Sequence, residues 1–276
     1  MPRLGIAIDS ENCMSCYNCF MACRDEHCGH SSALSAPQPH EGHRWIDVRE
    51  WERGDDSRKI KTASVATPCS HCAEPACMKA SESGAVYKRD DGIVVIDPEK
   101  AIGQKAIVSA CPIGAIYWNE ELGLAQKCTM CAELLDEGFA QPRCVGACPN
   151  GAMFFGDLDD PGSEVSKVIA QNRVTQLTEL SGIETNVVHL NIPTIFLAGS
   201  VYTKDDDAVD GAKVTLTDKK SGAVMTTETN CFGDWEFEWL VKDTEYELAV
   251  EKTGYKKFEA KAVADSDRYF GEIILD

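Results

Sequence analysis

At 276 residues the chain is long enough for two domains, and its 43% share of hydrophobic residues is ordinary for a globular protein. A net charge of −18, spread over both halves (18 acidic against 10 basic residues in 199–276), reads as a solvated acidic surface and argues against a nucleic-acid partner, because phosphate binding needs a basic face. No apolar run approaches the roughly 18 residues of a membrane span, and Met1-Pro2-Arg3-Leu4-Gly5-Ile6 does not read as a secretory signal, so the expected setting is a reducing cytoplasm.

Fourteen cysteines are many for this length; thirteen precede residue 150, most at gaps of two or three residues, and Cys231 alone lies beyond. A disulfide scaffold would be short, secreted and cysteine-dense throughout, whereas close spacing confined to one part suits a metal or cluster. In chain order, residues 4–8 followed by Asp9 predict a short strand. It leads into Cys13-Met14-Ser15-Cys16-Tyr17-Asn18-Cys19-Phe20-Met21-Ala22-Cys23, which is C-x2-C-x2-C-x3-C. Three thiolates at two-residue gaps wrap one face of an iron–sulfur cube. The fourth lies too far along to close the same cage, and in two-cluster ferredoxins it serves the other cluster. After a polar stretch, residues 43–51 alternate like a half-buried strand, and 54–63 are charged and read as a loop.

The second cassette is Cys69-x2-Cys72-x4-Cys77, with Ser81 where a further cysteine would fall. Residues 84–87 and 92–97 predict a β-hairpin around Asp90-Asp91-Gly92. The last cassette is Cys128-x2-Cys131-x12-Cys144-x3-Cys148-Pro149, leading into a strand at 151–155. Between these two, residues 97–116 keep the outline of another: cysteines at 101, 104 and 107 would complete C-x2-C-x2-C-x3-C-P-x-G-A-I, of which Cys111 onward is present. A helix is predicted from 163 to about 172, with Pro161 near its start and Val165, Val168 and Ile169 at helical spacing. The rest of 157–195, including Asn186-Val187-Val188-His189-Leu190, reads as an extended arm. From about 199 the triplets Ala212/Val214/Leu216, Trp235/Phe237/Trp239 and Tyr246/Leu248/Val250 alternate with polar residues, and turn residues such as Ser221-Gly222, Gly233-Asp234 and Thr253-Gly254 separate them. The expected fold class is α+β: a tandem bacterial-ferredoxin-like [4Fe–4S] domain over 1–195, followed by a small antiparallel β-sandwich over 196–276.

In a crossed pair each cassette gives three cysteines to one cluster and its last to the partner's. Pairing the first cassette with the last makes Cys13, Cys16, Cys19 and Cys148 one site, and Cys128, Cys131, Cys144 and Cys23 a second. Pairing the two middle cassettes makes Cys69, Cys72, Cys77 and Cys111 a third, and the remaining site would fall on Ala101, Gln104, Ile107 and Ser81. All four ligands of one cluster are therefore absent while all twelve of the other three are present. Another pairing would scatter the losses, so the count supports both the crossing and three [4Fe–4S] clusters. Zinc is the alternative, but it takes four ligands in two pairs and has no use for C-x2-C-x2-C-x3-C. Cys28 and Cys231 read as free thiols. His71, between Cys69 and Cys72, is a candidate to touch or tune its cluster, whereas His27, His30, His40 and His43 lack metal spacing. No nucleophile–base pair, phosphate loop or catalytic-metal motif stands out, and no catalytic residues are expected in this chain.

With these cassettes, and with Gly156-Asp157-Leu158-Asp159-Asp160-Pro161 and Ser163-Glu164-Val165-Ser166 after the last of them, residues 1–195 resemble the iron–sulfur subunits of the dimethyl sulfoxide reductase family of molybdenum enzymes. Most members carry sixteen cysteines in four cassettes, and this chain departs from them at the four positions named. That departure, together with Gly42-His43-Arg44-Trp45, the 91–100 and 125–132 segments and a C-terminal β-domain, is similar to small subunits of the pyrogallol–phloroglucinol transhydroxylase type, which hold three [4Fe–4S] clusters and a transthyretin-like β-sandwich. Gly211-Ala212, Val214-Thr215-Leu216, Trp235, Phe237 and Gly254-Tyr255 are similar to carboxypeptidase-regulatory or Cna-B-like modules. The resemblance implies an electron-transfer subunit in a heterodimer with a large catalytic subunit. That partner would hold a molybdenum (or tungsten) bis-pterin guanine dinucleotide and hydroxylate, transhydroxylate or dehydroxylate a phenolic ring. A free-standing polyferredoxin, or a binding protein whose β-domain is the working part, are the readings that compete with it.

Overall fold

The cysteine-rich part of the computed structural model, which describes residues 1–276, alternates short strands with short helices. In chain order these are β1 (Leu4–Asp9), α1 (Asn18–His27), β2 (Ile46–Asp56), β3 (Lys59–Pro68), α2 (Ala76–Lys79), β4 (Val86–Lys88), β5 (Val94–Ile96), α3 (Ala106–Ser109) and β6 (Ile116–Asn119). Then come β7 (Leu124–Lys127), α4 (Ala132–Asp136), α5 (Arg143–Gly146), β8 (Met153–Asp157), α6 (Glu164–Gln171), β9 (Val174–Thr175) and β10 (Val187–Leu190). Seven further strands follow: β11 (Ile195–Thr203), β12 (Lys213–Asp218), β13 (Val224–Glu228), β14 (Asp234–Leu240), β15 (Thr244–Glu251), β16 (Phe258–Ala264) and β17 (Arg268–Leu275). The chain divides into two units, residues 1–50 with 64–192 and residues 51–63 with 193–276.

In the first unit β1 is buried on both faces, as the apolar run Leu4-Gly5-Ile6-Ala7-Ile8 requires. It lies in a four-stranded sheet ordered β8-β1-β10-β9, antiparallel to β8 and parallel to β10, with Ile6 opposite both Phe155 and Val187. Ile6, Ile8, Met153 and Val187 face a core that also contains Trp45, Cys19, Cys23, Cys69, Cys128 and Cys144. Ala7 and Leu190 face the other way, onto Val165, Val168 and Ile169 of α6. That helix begins where expected, its first turn held by Ser163, whose side chain accepts from the Ser166 N–H. Residues 186–190 depart from the expected arm: β10 is an interior strand, hydrogen-bonded on both edges. Gly5 makes this possible, since a Cβ there would lie 2.3 Å from the Asn186 carbonyl oxygen. The predicted hairpin forms as β4 and β5, antiparallel with Tyr87 opposite Val95.

The second unit is a sandwich of a three-stranded sheet, β14-β11-β17, and a four-stranded one, β13-β12-β15-β16. Inward residues Val214, Leu216, Trp235, Phe237, Tyr246, Leu248 and Val250 fill its core, as their alternation predicts. Trp239 breaks the pattern. Its φ of 64° twists the end of β14, and Leu240 takes the buried position instead. Residues 54–63 also differ from expectation, because most of them extend β2 and β3, which a two-residue turn connects, and 51–63 group with the sandwich rather than with the cysteine-rich residues on either side. Their charges are partnered. Arg53 is buried against Asp267 at 2.8 Å and over the Phe196 ring, Arg58 pairs with Glu272 at 3.0 Å, and Lys61 bonds Glu236 and Glu238. Charge in this stretch therefore marks an ion-paired surface, which sequence polarity alone does not distinguish from a solvated loop.

Candidate cluster-binding sites

Each cassette that keeps its first three cysteines wraps a loop whose residue before the second cysteine has left-handed backbone: Ser15 (φ 54°), His71 (φ 44°) and Met130 (φ 57°). This turn bends the chain so that successive thiols face one point, and a short helix then carries the third cysteine, Cys19 on α1, Cys77 on α2 and Cys144 on α5. The first loop is anchored by Asp9, whose carboxylate accepts from Asn12 Nδ2 at 2.6 Å and Asn191 Nδ2 at 2.9 Å.

Cys13, Cys16, Cys19 and Cys148 line one cavity, together with Ile8, Val48 and Met153. Burial, then the charges of Cys13, Cys148 and Cys16, pushes the Cys19 thiol up to about 11. Cys69, Cys72, Cys77 and Cys111 line a second cavity with His71, Val94 and Leu180. Burial and the neighbouring thiols raise both Cys72 and Cys77 to about 11. Cys23, Cys128, Cys131 and Cys144 are all buried. Cys23 is raised by burial and then by Cys128, Cys144 and Cys131, and burial pushes Cys128 up to about 12. The structure thus brings together the four members of each expected set. The sets also neighbour one another: Cys19 acts on Cys23 and Cys144, and Cys69 acts on Cys128.

The thiols fit iron–sulfur clusters better than a single ion. The thiols of the Cys13 set and of the Cys69 set line cavities, and each expected set is four thiols with no histidine or carboxylate among them, the donor set of a [4Fe–4S] cluster. Backbone N–H groups already point at sulfur, Ala115 to Cys111, Ala152 to Cys148 and Met130 to Cys128, each at 3.3 Å. Such N–H···S bonds stabilise thiolate charge and help set a cluster's potential. His71 is fully buried, and its Nδ1 accepts from the Val94 N–H at 3.0 Å, which puts the ring proton on Nε2; that atom has no partner within the protein. A buried donor left over beside four thiols suits a cluster's sulfur atoms as acceptors.

The incomplete cassette keeps the turn, and side chains other than thiols fill its ligand positions. Gly103, at the position of Ser15, His71 and Met130, has φ 78°. Ala101 and Ile107 are wholly buried in a cluster with Val94, Ile96, Ile116 and Leu124. The Gln104 amide accepts from the Glu82 N–H at 2.7 Å and donates to the Lys100 carbonyl at 2.7 Å, while Ser81 Oγ donates to the Met78 carbonyl at 2.9 Å. The four positions are apolar filling and backbone ties.

Two side chains near the cysteines carry no sequence signal beyond their neighbours. His27 lies one helical turn after Cys23, is buried against Trp45 with ring centres 4.9 Å apart, and has Nε2 3.7 Å from Cys131 Sγ and Nδ1 3.3 Å from Glu133 Oε1. Burial lowers its pKa to about 4. Lys127, just before Cys128, is buried as well. Of the cysteines outside the sets, Cys28 Sγ lies 3.3 Å from His40 Nδ1 and 3.6 Å from the Arg24 guanidinium, and Cys231 is exposed.

Residues 60–158 match the family described as a 4Fe-4S dicluster domain, and residues 197–268 match the carboxypeptidase regulatory-like domain. The chain is 31% identical to a putative dimethyl sulfoxide reductase iron-sulfur subunit of Halobacterium salinarum, over 69% of this chain and 80% of that one. It is 35% identical to a sulfite dehydrogenase subunit of Allochromatium vinosum, over 64% and 78% of the two chains. The chain belongs to the iron–sulfur subunits of the dimethyl sulfoxide reductase family of molybdopterin enzymes, the electron-transfer members of those assemblies. Within that family it is similar over its whole length to the pyrogallol hydroxytransferase small subunit of Pelobacter acidigallici, with 35% identity and 100% of each chain covered.

Proposed function

We propose that this chain holds three [4Fe–4S] clusters, one on Cys13, Cys16, Cys19 and Cys148, one on Cys23, Cys128, Cys131 and Cys144, and one on Cys69, Cys72, Cys77 and Cys111. It passes electrons to or from a large catalytic subunit, with which it forms a heterodimer in the cytoplasm. The pair acts on a polyhydroxylated phenol of the pyrogallol or phloroglucinol type, by hydroxyl transfer, hydroxylation or dehydroxylation. The observation that carries this reading is the combination of three complete thiol sets with one wholly replaced set, in a chain similar from end to end to a pyrogallol hydroxytransferase small subunit.

The clusters supply one-electron transfer, and a molybdenum (or tungsten) bis-pterin guanine dinucleotide in the partner supplies the bond chemistry. This chain's own residues hold and shield the clusters. Its thiols take up the charge that burial opposes, its N–H groups offset that charge at Cys111, Cys128 and Cys148, and its apolar core excludes water from Cys23, Cys128 and Cys144. The mutual influence of the sets supports a single series, with the Cys23 set between the other two.

The test is anaerobic purification with the catalytic partner, followed by iron analysis and EPR after reduction. About twelve iron per copy of this chain is expected, with turnover of a polyphenol from a panel assayed with and without reductant. About sixteen iron, or a complex inert towards every polyphenol and active on a sulfur oxoanion, would refute the corresponding part of the proposal.

A further inference from the structure

Strand β7 ends on Lys127, whose side chain is only 3% exposed. Its ammonium is satisfied by carbonyl oxygens and not by a carboxylate, donating to Val94 and, at 3.0 Å, to Cys128. Val94 in turn donates its N–H to His71 Nδ1 at 3.0 Å. A short run of contacts therefore links the loop carrying Cys69 and Cys72 to the loop carrying Cys128, with one positive charge in the middle. Neutral carbonyls solvate such a charge without cancelling it, and desolvation opposes burying an unpaired ion. Thiol sets lie to either side of it, and its charge acts on Cys72, Cys77 and Cys128 in the direction that favours thiolate.

We propose that Lys127 is the shared counter-charge of two clusters, those on Cys69, Cys72, Cys77 and Cys111 and on Cys23, Cys128, Cys131 and Cys144, and that it raises the reduction potential of both relative to the third. The inference rests on the ligand sets proposed above. A cluster gains one negative charge on reduction, so a fixed cation nearby stabilises the reduced form more than the oxidised form. The same cation serves both neighbours because its two carbonyl contacts hold it between their loops.

Potentiometric titration of the purified complex, followed by EPR, separates the outcomes. Wild-type iron content and the number of reducible signals test the three-cluster reading by themselves, before any variant is made. In Lys127→Gln two of the three midpoints should fall, each by about tenfold in the oxidised-to-reduced ratio at a set potential, or about 59 mV for a one-electron couple. The third should stay put, and Lys127→Arg should keep all three near wild type. A Lys127→Gln protein with full iron and unmoved midpoints overturns the proposal, and so does a uniform shift of all three. If Lys127→Gln loses iron, Lys127→Arg decides: full iron there supports a need for charge, whereas loss in both variants means that shape is what matters and overturns it.

Discussion

Burial opposes a thiolate, and here it holds Cys19 at about 11 and Cys128 at about 12, so at neutral pH these two metal-free thiols keep their protons. Iron must displace those protons as it binds, which makes each cysteine's contribution depend on the other three that share its charge with iron. Cys148→Ala tests which three those are. It should remove the cluster held with Cys13, Cys16 and Cys19, lowering iron from about twelve to about eight per chain, and leave the EPR signal of the cluster completed by Cys23. Loss of the other signal instead would mean that the ligation is not crossed. His189 offers a separate test away from the thiols. It sits on β10, its Nε2–H donating to the Ala66 carbonyl at 3.0 Å, and burial lowers its pKa, with the Ala66 bond opposing and Arg49 reinforcing that shift. A histidine whose folded pKa lies below its unfolded value contributes stability that is complete above about pH 6.5 and is lost as the pH falls below it. Between about pH 7.5 and about pH 5.5, His189→Gln should therefore lose less stability than the wild type. Any acid lability of the clusters is common to both proteins and cancels, and equal slopes in denaturant titrations would refute the assignment.

At the scale of elements, the incomplete cassette fills space at the positions where the other cassettes present thiols. Ile107 on α3 is wholly buried beside Ile116 and Leu124, so Ile107→Ala should destabilise the chain by about 2–5 kcal/mol, the range for truncating a core isoleucine. Chemical denaturation should read this with the iron content unchanged, whereas a drop in iron would tie Ile107 to a cluster after all. The absence of sulfur at 101, 104, 107 and 81 was readable because cysteine spacing is a local code, but what replaced it was not, since Ala101 and Ile107 acquire their role from strands β5 to β7. The same distinction runs through the rest of the chain. Helix α6 was legible from Pro161 and the spacing of Val165, Val168 and Ile169, and the hairpin of β4 and β5 from its turn residues. Strand β10 was not, because its place inside the sheet depends on Gly5, some 180 residues away, leaving room for Asn186. Residues 54–63 looked like a solvated loop because their partners, Glu236, Glu238, Arg268 and Glu272, lie near the other end of the chain. His27 and Lys127 went unnoticed as cluster neighbours for the same reason: burial assigns their roles, and no motif marks it.

For the whole molecule, the two units are held together internally by different means. The first packs Cys19, Cys23, Cys69, Cys128 and Cys144 into the same core as Ile6, Ile8 and Trp45, so its interior is closed by what the thiols bind. The proposed ligand sets also tie residues 13–23 to 128–148, and 69–77 to 111, as cross-links that shorten large loops. The second unit has no cysteine in its core and closes on Val214, Leu216, Trp235, Phe237 and Leu248. Removing iron should therefore act on one unit and spare the other. After anaerobic oxidation and chelation, hydrogen exchange followed by mass spectrometry should show β1, β8 and β10 losing protection, while β12, β14 and β15 keep theirs. Readdition of iron and sulfide under reducing conditions should restore the first group. If all these strands lost protection together, the sandwich would depend on iron, and its independent core would not be what holds it. If none did, the cysteine-rich unit would be stable as packed hydrophobic structure alone, and its clusters would serve electron transfer without a part in holding the fold.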